Sequence, residues 1–137
     1  RFEASLRYTI ENSSPVLSGF RADAREKEGH LDFFKNGWIA TKAGDSIHFE
    51  LSGARTIAIQ YRKTINRPAP VALAVLDGCR EKAVVLDSNF DEDWGDCLYL
   101  QPVLSENERK DHILDIEIVS ASEADKNSFY LLSLIVS

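Results

Sequence analysis

The stretch from Arg55 to Asp77, RTIAIQYRKTINRPAPVALAVLD, leaves the chain few options for its fold. In its first arm Ile57, Ile59 and Tyr61 fall on one side, and Thr56, Ala58, Gln60 and Arg62 on the other. A two-residue period marks a strand with one buried face. The second arm, Val71 to Leu76, is apolar throughout, as suits a strand covered on both faces. Between them Lys63 to Pro70 is basic, and Pro68 and Pro70 keep it out of any sheet ladder. The arms therefore form a hairpin or arch that holds a polar, cationic loop at one end of a sandwich.

The same alternation recurs on both sides. Phe2, Ala4, Leu6, Tyr8 and Ile10 alternate with polar residues in a long first strand, and Val16 to Phe20 reads as a short one. Arg21 to Gly29 has no apolar stripe and reads as a loop. Leu31 to Phe34 and Trp38 to Thr41 flank Asn36-Gly37, a tight-turn signal. Ser46 to Ser52 alternates, and Ser52-Gly53-Ala54 reads as a turn into the central stretch. Further strands are expected at Lys82 to Leu86, Cys97 to Val103, Asp111 to Val119 and Phe129 to Val136, with Glu106 to Lys110 as a charged loop. Pro102 ends its strand or places it at an edge. The sum is an all-β, antiparallel β-sandwich of the jelly-roll kind, with about nine strands and no helix.

A length of 137 residues suits a single domain over 1–137 with one core. Sixteen Lys and Arg against twenty-two Asp and Glu give a net charge of −6, which argues against nucleic acid and against an anionic membrane surface. No apolar run reaches the about 18 residues of a membrane span. The sequence starts at Arg1 rather than Met, which points to a mature product or a domain excised from a longer protein.

Five groups of residues are of types that can carry chemistry. Gly44-Asp45-Ser46-Ile47 superficially matches the nucleophile block of SGNH esterases, but Ser46 leads into a strand and Arg109 stands three residues before His112, where the acid should be. No triad role is filled, so the block reads as a turn and the chain as non-catalytic. His30, His48 and His112 are scattered and read as surface or satisfied histidines. In the acidic loop, Asp87, Asn89 and Asp91 offer alternate oxygens of the kind Ca²⁺ takes, although Glu92 replaces the glycine of an EF-hand. The alternative is a solvated acidic loop. Cys79 and Cys97 flank that loop and are expected to form a disulfide, with two separate thiols as the alternative.

Trp38 and Trp94 both lie near turns. An indole face stacks on a sugar ring while nearby carboxylates, amides and Arg take the hydroxyls. Trp38 reads as a core plug. Trp94, among Asp91 and Asp93, is the exposed platform, and Tyr61, Arg62 and Asn66 add donors at a loop rim.

The order GWI-x-T-K-x-GDSI-x-F-x-L, then IAI-x-Y, VALAVLDG, VVLD, and H-x-L-x-I-x-I-V before FYLLSLIV resembles the galactose-binding-like jelly roll. It is similar in particular to the non-catalytic sandwich domains appended to SGNH-type carbohydrate esterases. The resemblance covers Phe34 to Val136 and rests on Gly37-Trp38, Gly44-Asp45, Asp77-Gly78, Leu86-Asp87 and His112. It implies ligands in the loops at one end, and a structural calcium elsewhere. On this reading the chain is a secreted or cell-surface accessory module. It would bind a glycan through Trp94, Asp91, Asp93, Arg62, Asn66 and Tyr61, beside a fused catalytic domain. The alternative is a structural sandwich that packs on a catalytic partner and binds no small ligand.

Overall fold

The computed structural model describes residues 6–8, 15–22, 37–90, 97–125 and 128–137. Among them nine strands form: β1 (Leu6–Tyr8), β2 (Val16–Ser18), β3 (Arg21–Ala22), β4 (Trp38–Ala40), β5 (Ser46–Lys63), β6 (Val71–Leu76), β7 (Val84–Asp87), β8 (Cys97–Ser120) and β9 (Phe129–Val136). One 3-10 turn, Arg80–Lys82, precedes β7. Every strand pairing is antiparallel.

The organising element is longer than the sequence suggested. Ser46 to Ser52 and the arm after Arg55 are one strand, and Cys97 to Val103 and Asp111 to Val119 are another. The two pair along their whole length, from Ser46 opposite Glu117 to Lys63 opposite Cys97. The expected turn at Ser52-Gly53-Ala54 and the expected loop at Glu106 to Lys110 are instead the crease of this ribbon. Register shifts flank Ala54, and Gly53 sits at φ 60, a conformation that favours glycine. Asp111 Oδ1 accepts the Gly53 amide at 2.9 Å, and Arg109 Nη1 donates to the Gly53 carbonyl at 3.2 Å. These bonds span the crease and hold the backbone groups that the bulge releases.

Folded at this crease, the ribbon belongs to both layers. The first halves of β5 and the last residues of β8 lie between β2 on one side and β6 and β7 on the other. In the other layer the second half of β5 lies between the start of β8 and β9, and β9 carries β4 and β1 on its far side, with β3 beyond β4. β5 and β6 do not pair with each other. The stretch read as hairpin or arch is thus an arch, whose loop passes from one layer to the other.

Following the chain through these pairings places the connections. The β4–β5, β5–β6, β7–β8 and β8–β9 connections all cross between layers at one end. The crease and the Asp77-Gly78 turn mark the opposite end. The core lies between: Trp38 meets Phe49 edge-on at 5.3 Å across the layers, Phe20 meets Phe129 at 6.2 Å, and Tyr61 stacks on Phe129 at 5.9 Å. Ile47, Ile59, Leu86, Leu114, Ile116 and Leu131 are fully buried around them. Such interlayer packing of alternating apolar residues is what the hydrophobic effect rewards in a sandwich.

This topology also corrects the expected disulfide. Cys97 opens β8 at the crossover end, whereas Cys79 follows the Asp77-Gly78 turn at the crease end. Both are free thiols. Closeness to one loop in sequence did not bring them together in space, and a bridge needs Cα atoms within about 7 Å.

At the crease end, Asp77 joins β6 to β8. Its Oδ2 lies 2.6 Å from His112 Nδ1, and its Oδ1 accepts the Ile113 amide at 2.9 Å. Burial opposes ionisation of Asp77, but the bonds to His112 and Ile113 outweigh it and hold the carboxyl below its ordinary range. A depressed carboxyl adds stability that is present above its unfolded value of about 3.9 and is lost as pH falls through the folded value. Asp77→Asn is therefore expected to lower the urea midpoint at neutral pH, with a smaller gap to the parent protein at a pH below the unfolded carboxyl value of about 3.9. A gap of equal size at both pH values would show that the charge of Asp77 is not what matters.

Candidate functional site

The described residues of the expected site fall at the crossover end, on or beside the arch between β5 and β6. Thr64 is fully buried and anchors the arch: its amide donates to the Ser88 carbonyl at 2.7 Å, and its carbonyl accepts from Phe90 at 3.0 Å. Its hydroxyl accepts the Asn66 amide at 3.0 Å, closing a small turn that points the Asn66 side chain outward. Asn66 and Arg67 are exposed, and the Arg67–Pro68 bond is cis. Arg62 is half-buried. Its Nη2 donates to the Ser128 carbonyl at 2.7 Å, and its guanidinium lies 5.2 Å from the Tyr130 ring centre.

Tyr61 does not stand on the rim. It is 1% exposed and belongs to the core, as the inward phase of its strand dictates. Burial, followed by the nearby Tyr99 and Asp87, pushes its hydroxyl well above the ordinary tyrosine range. It is therefore a support for the site and not a donor to a ligand. Tyr99 lies edge-on to it at 5.7 Å, is 42% exposed, and carries the Lys63 ammonium 4.6 Å from its ring centre. Trp94, Asp91 and Asp93 lie outside the described residues.

The described members of the expected calcium set have other work. Asn89 Nδ2 donates to Asp87 Oδ1 at 2.7 Å and to the Ala69 carbonyl at 3.0 Å, while Asn89 Oδ1 accepts the Ala69 amide at 2.9 Å. Asp87 Oδ1 also accepts the Asn89 amide at 2.9 Å. Calcium needs several convergent oxygens, and here Asp87 Oδ1 and Asn89 Oδ1 serve to clamp the arch to the end of β7. Among the described residues no group of three His, Cys, Asp or Glu could hold a metal ion.

No described protein family and no curated protein matches the sequence. Among solved structures, a two-domain esterase (CEX) active on acetylated mannans, seen also with mannopentaose, is 42% identical over 97% of this chain, with a TM-score of 0.90. Its structure without that ligand gives 0.91. This chain is a galactose-binding-like jelly-roll module of the kind appended to carbohydrate esterases. It spans 36% of the esterase chain it matches. Two further structures share the fold at low identity. A family two carbohydrate esterase from Cellvibrio japonicus is 8% identical over 97% of the module and 33% of its own chain, with a TM-score of 0.62. A carbohydrate-binding module, CBM36, in complex with calcium and xylotriose is 14% identical over 96% of the module and 99% of its own chain, with a TM-score of 0.56.

The module has a second feature at this end that the sequence did not disclose. The β4–β5 and β8–β9 crossovers run side by side, because Gly44 donates to the Ile118 carbonyl and Ile118 donates to the Asp45 carbonyl, each at 2.8 Å. Between them lies an open cleft of about 410 Å³, walled by Thr41, Lys42 and Ala43 on one side and Ala121, Ser122 and Glu123 on the other. In the sequence Gly44 to Ile47 reads only as a turn, since nothing local says which distant crossover will face it.

The clamp gives a direct prediction. Asn89→Ala removes both halves of the Ala69 pairing and is expected to cost about 1–2 kcal/mol. Because the role is a clamp, the loss in urea denaturation should be the same with calcium and with EGTA. A loss that appears only with calcium would make Asn89 a ligand after all.

Proposed function

We propose that the module is a non-catalytic carbohydrate-binding domain of a larger extracellular carbohydrate-active protein. It would bring a fused catalytic domain to a polysaccharide. The observation that carries this reading is the 42% identity over nearly the whole chain to one part of an esterase whose substrates are acetylated mannans. A β-mannan is accordingly the first ligand to test. Recognition would be built at the crossover end, with Trp94 as stacking platform, Asp91, Asp93 and Asn66 taking hydroxyls, and Arg62 stiffening the wall. The GDS-like turn supports the absence of catalysis: Ser46 is paired with Glu117 inside the sheet and has no histidine opposite. Calcium, if bound, would draw on Asp87, Asn89 and Asp91, and no step of this reading depends on it.

Affinity electrophoresis in gels containing glucomannan tests the proposal, with Trp94→Ala as the control. Retardation that disappears in the variant is expected. Equal mobility with and without polysaccharide, across mannan, xylan and glucan, would remove the reading.

One observation favours a second reading, a sandwich that docks on its catalytic neighbour. The start of β8 is an edge strand among the described residues, and Leu98 and Leu100 are 40% and 49% exposed on its outer face. Paired apolar residues on a free edge invite cover. Leu98→Ser with Leu100→Ser would then loosen the two domains to limited proteolysis without changing glycan retention.

A further inference from the structure

We infer that the cleft between the β4–β5 and β8–β9 crossovers is a sugar subsite, taking one neutral hexopyranosyl unit of a bound chain. The inference rests on the binding-module reading and assigns it a second contact, separate from the arch and the acidic loop.

Three features of the cleft carry it. The first is size and form: about 410 Å³ lies in the range of about 300–1,000 Å³ typical of small-ligand sites, and the cleft is open, so a polymer can pass through. The second is the rigidity of both walls. Lys42 donates its amide to Asp45 Oδ2 at 3.1 Å, and Asp45 returns its amide to the Lys42 carbonyl at 3.1 Å. Opposite, Ser122 donates its amide to Asp125 Oδ2 at 2.9 Å, and its hydroxyl accepts the Ala124 amide at 3.2 Å. Each aspartate thus closes its own crossover, and neither wall must be ordered by a ligand.

The third feature is chemistry. Lys42 lines one wall and Glu123 the other, and neither side chain joins an ion pair among the described residues. Thr41 adds a hydroxyl to the lining and Ala43 and Ala121 add methyl groups, while the Ser122 hydroxyl is held by Ala124 and Asp125. A donor-only cation facing an acceptor-only anion suits a group that both donates and accepts, namely neighbouring hydroxyls of a sugar ring. The opposed charges cancel, which disfavours an acidic or a basic ligand. The alanines offer the apolar patch against which the C–H face of a pyranose rests. No ring stacks here, so the subsite adds selectivity to a chain held elsewhere.

The test is titration of the isotopically labelled chain with mannopentaose, followed by amide NMR. Shifts are expected at 41–43 and 121–123 as well as around 62–67. Lys42→Ala and Glu123→Gln, both exposed and remote from the core, should each weaken binding roughly tenfold with unchanged thermal midpoints. Shifts confined to the arch and the acidic loop, with full affinity in both variants, would overturn the subsite and leave the binding module standing. No shift anywhere, with mannan, xylan or glucan oligosaccharides alike, would overturn both.

Discussion

Trp38→Ala is expected to cost about 3–5 kcal/mol, enough to leave the chain largely unfolded at physiological temperature. The side chain is 2% exposed, and its ring meets Phe49 across the two layers at 5.3 Å. Truncation removes the apolar surface of an indole and leaves a cavity between strands held by ladders on both sides. Neither β4, pinned to β9, nor β5, pinned to β8, is free to close it. Chemical denaturation measures the loss. A cost below about 1 kcal/mol would mean that the layers can collapse onto the gap. The contrast with Trp94→Ala is informative, since that change is proposed to remove glycan retention with little effect on stability.

Gly37→Ala is the second large effect, about 1–3 kcal/mol by overpacking. A Cβ at Gly37 would stand 2.4 Å from the Leu131 carbonyl oxygen and 2.5 Å from Tyr130 Cε1. The first of these is backbone in the middle of β9 and cannot turn aside. The Tyr130 ring is held too, because its hydroxyl accepts the Gly37 amide at 3.3 Å and Arg62 lies over its face. The variant should lower the thermal midpoint by several degrees and also disturb Arg62 at the crossover end. By comparison, Gly44→Ala meets open space, so its cost is limited to the strain of φ 95. Equal midpoints for Gly37→Ala and the parent would show that β9 shifts to make room.

The two substitutions also mark how far the sequence could be read. Period-two alternation places Ile47, Phe49, Leu51, Ile57, Ile59, Leu114, Ile116 and Ile118 inward, and each is buried. The apolar run Phe129 to Val136 matches β9 to the residue. Glycine was the harder letter. Asn36-Gly37 signals a turn, yet the constraint on Gly37 is close approach by a strand more than ninety residues away. Gly53 signals a turn as well, and proves to be the crease within a strand. Local pattern fixes which way a side chain faces, but not whether a bend ends a strand or only folds it. The site suffers more from the same limit. Arg62 and Asn66 lie at the crossover end, where the prolines of the arch put them, whereas Tyr61 is buried, as its own alternation with Ile57 and Ile59 requires. The cleft needed the pairing of two crossovers, and the fate of the cysteines needed the topology. Neither is a local property.

The creased ribbon bears on how the chain acquires its shape. β5 and β8 are partners along nearly their full length, yet β6 and β7 intervene between them, so no tight turn can seed the ladder. Zipping must await a loop closure spanning dozens of residues, whose entropy is lost before any pairing compensates for it. Refolding from urea should therefore be slow for a domain of this size, on the order of milliseconds to seconds. Synthesis from the ribosome should leave β5 without its main partner until β8 has emerged.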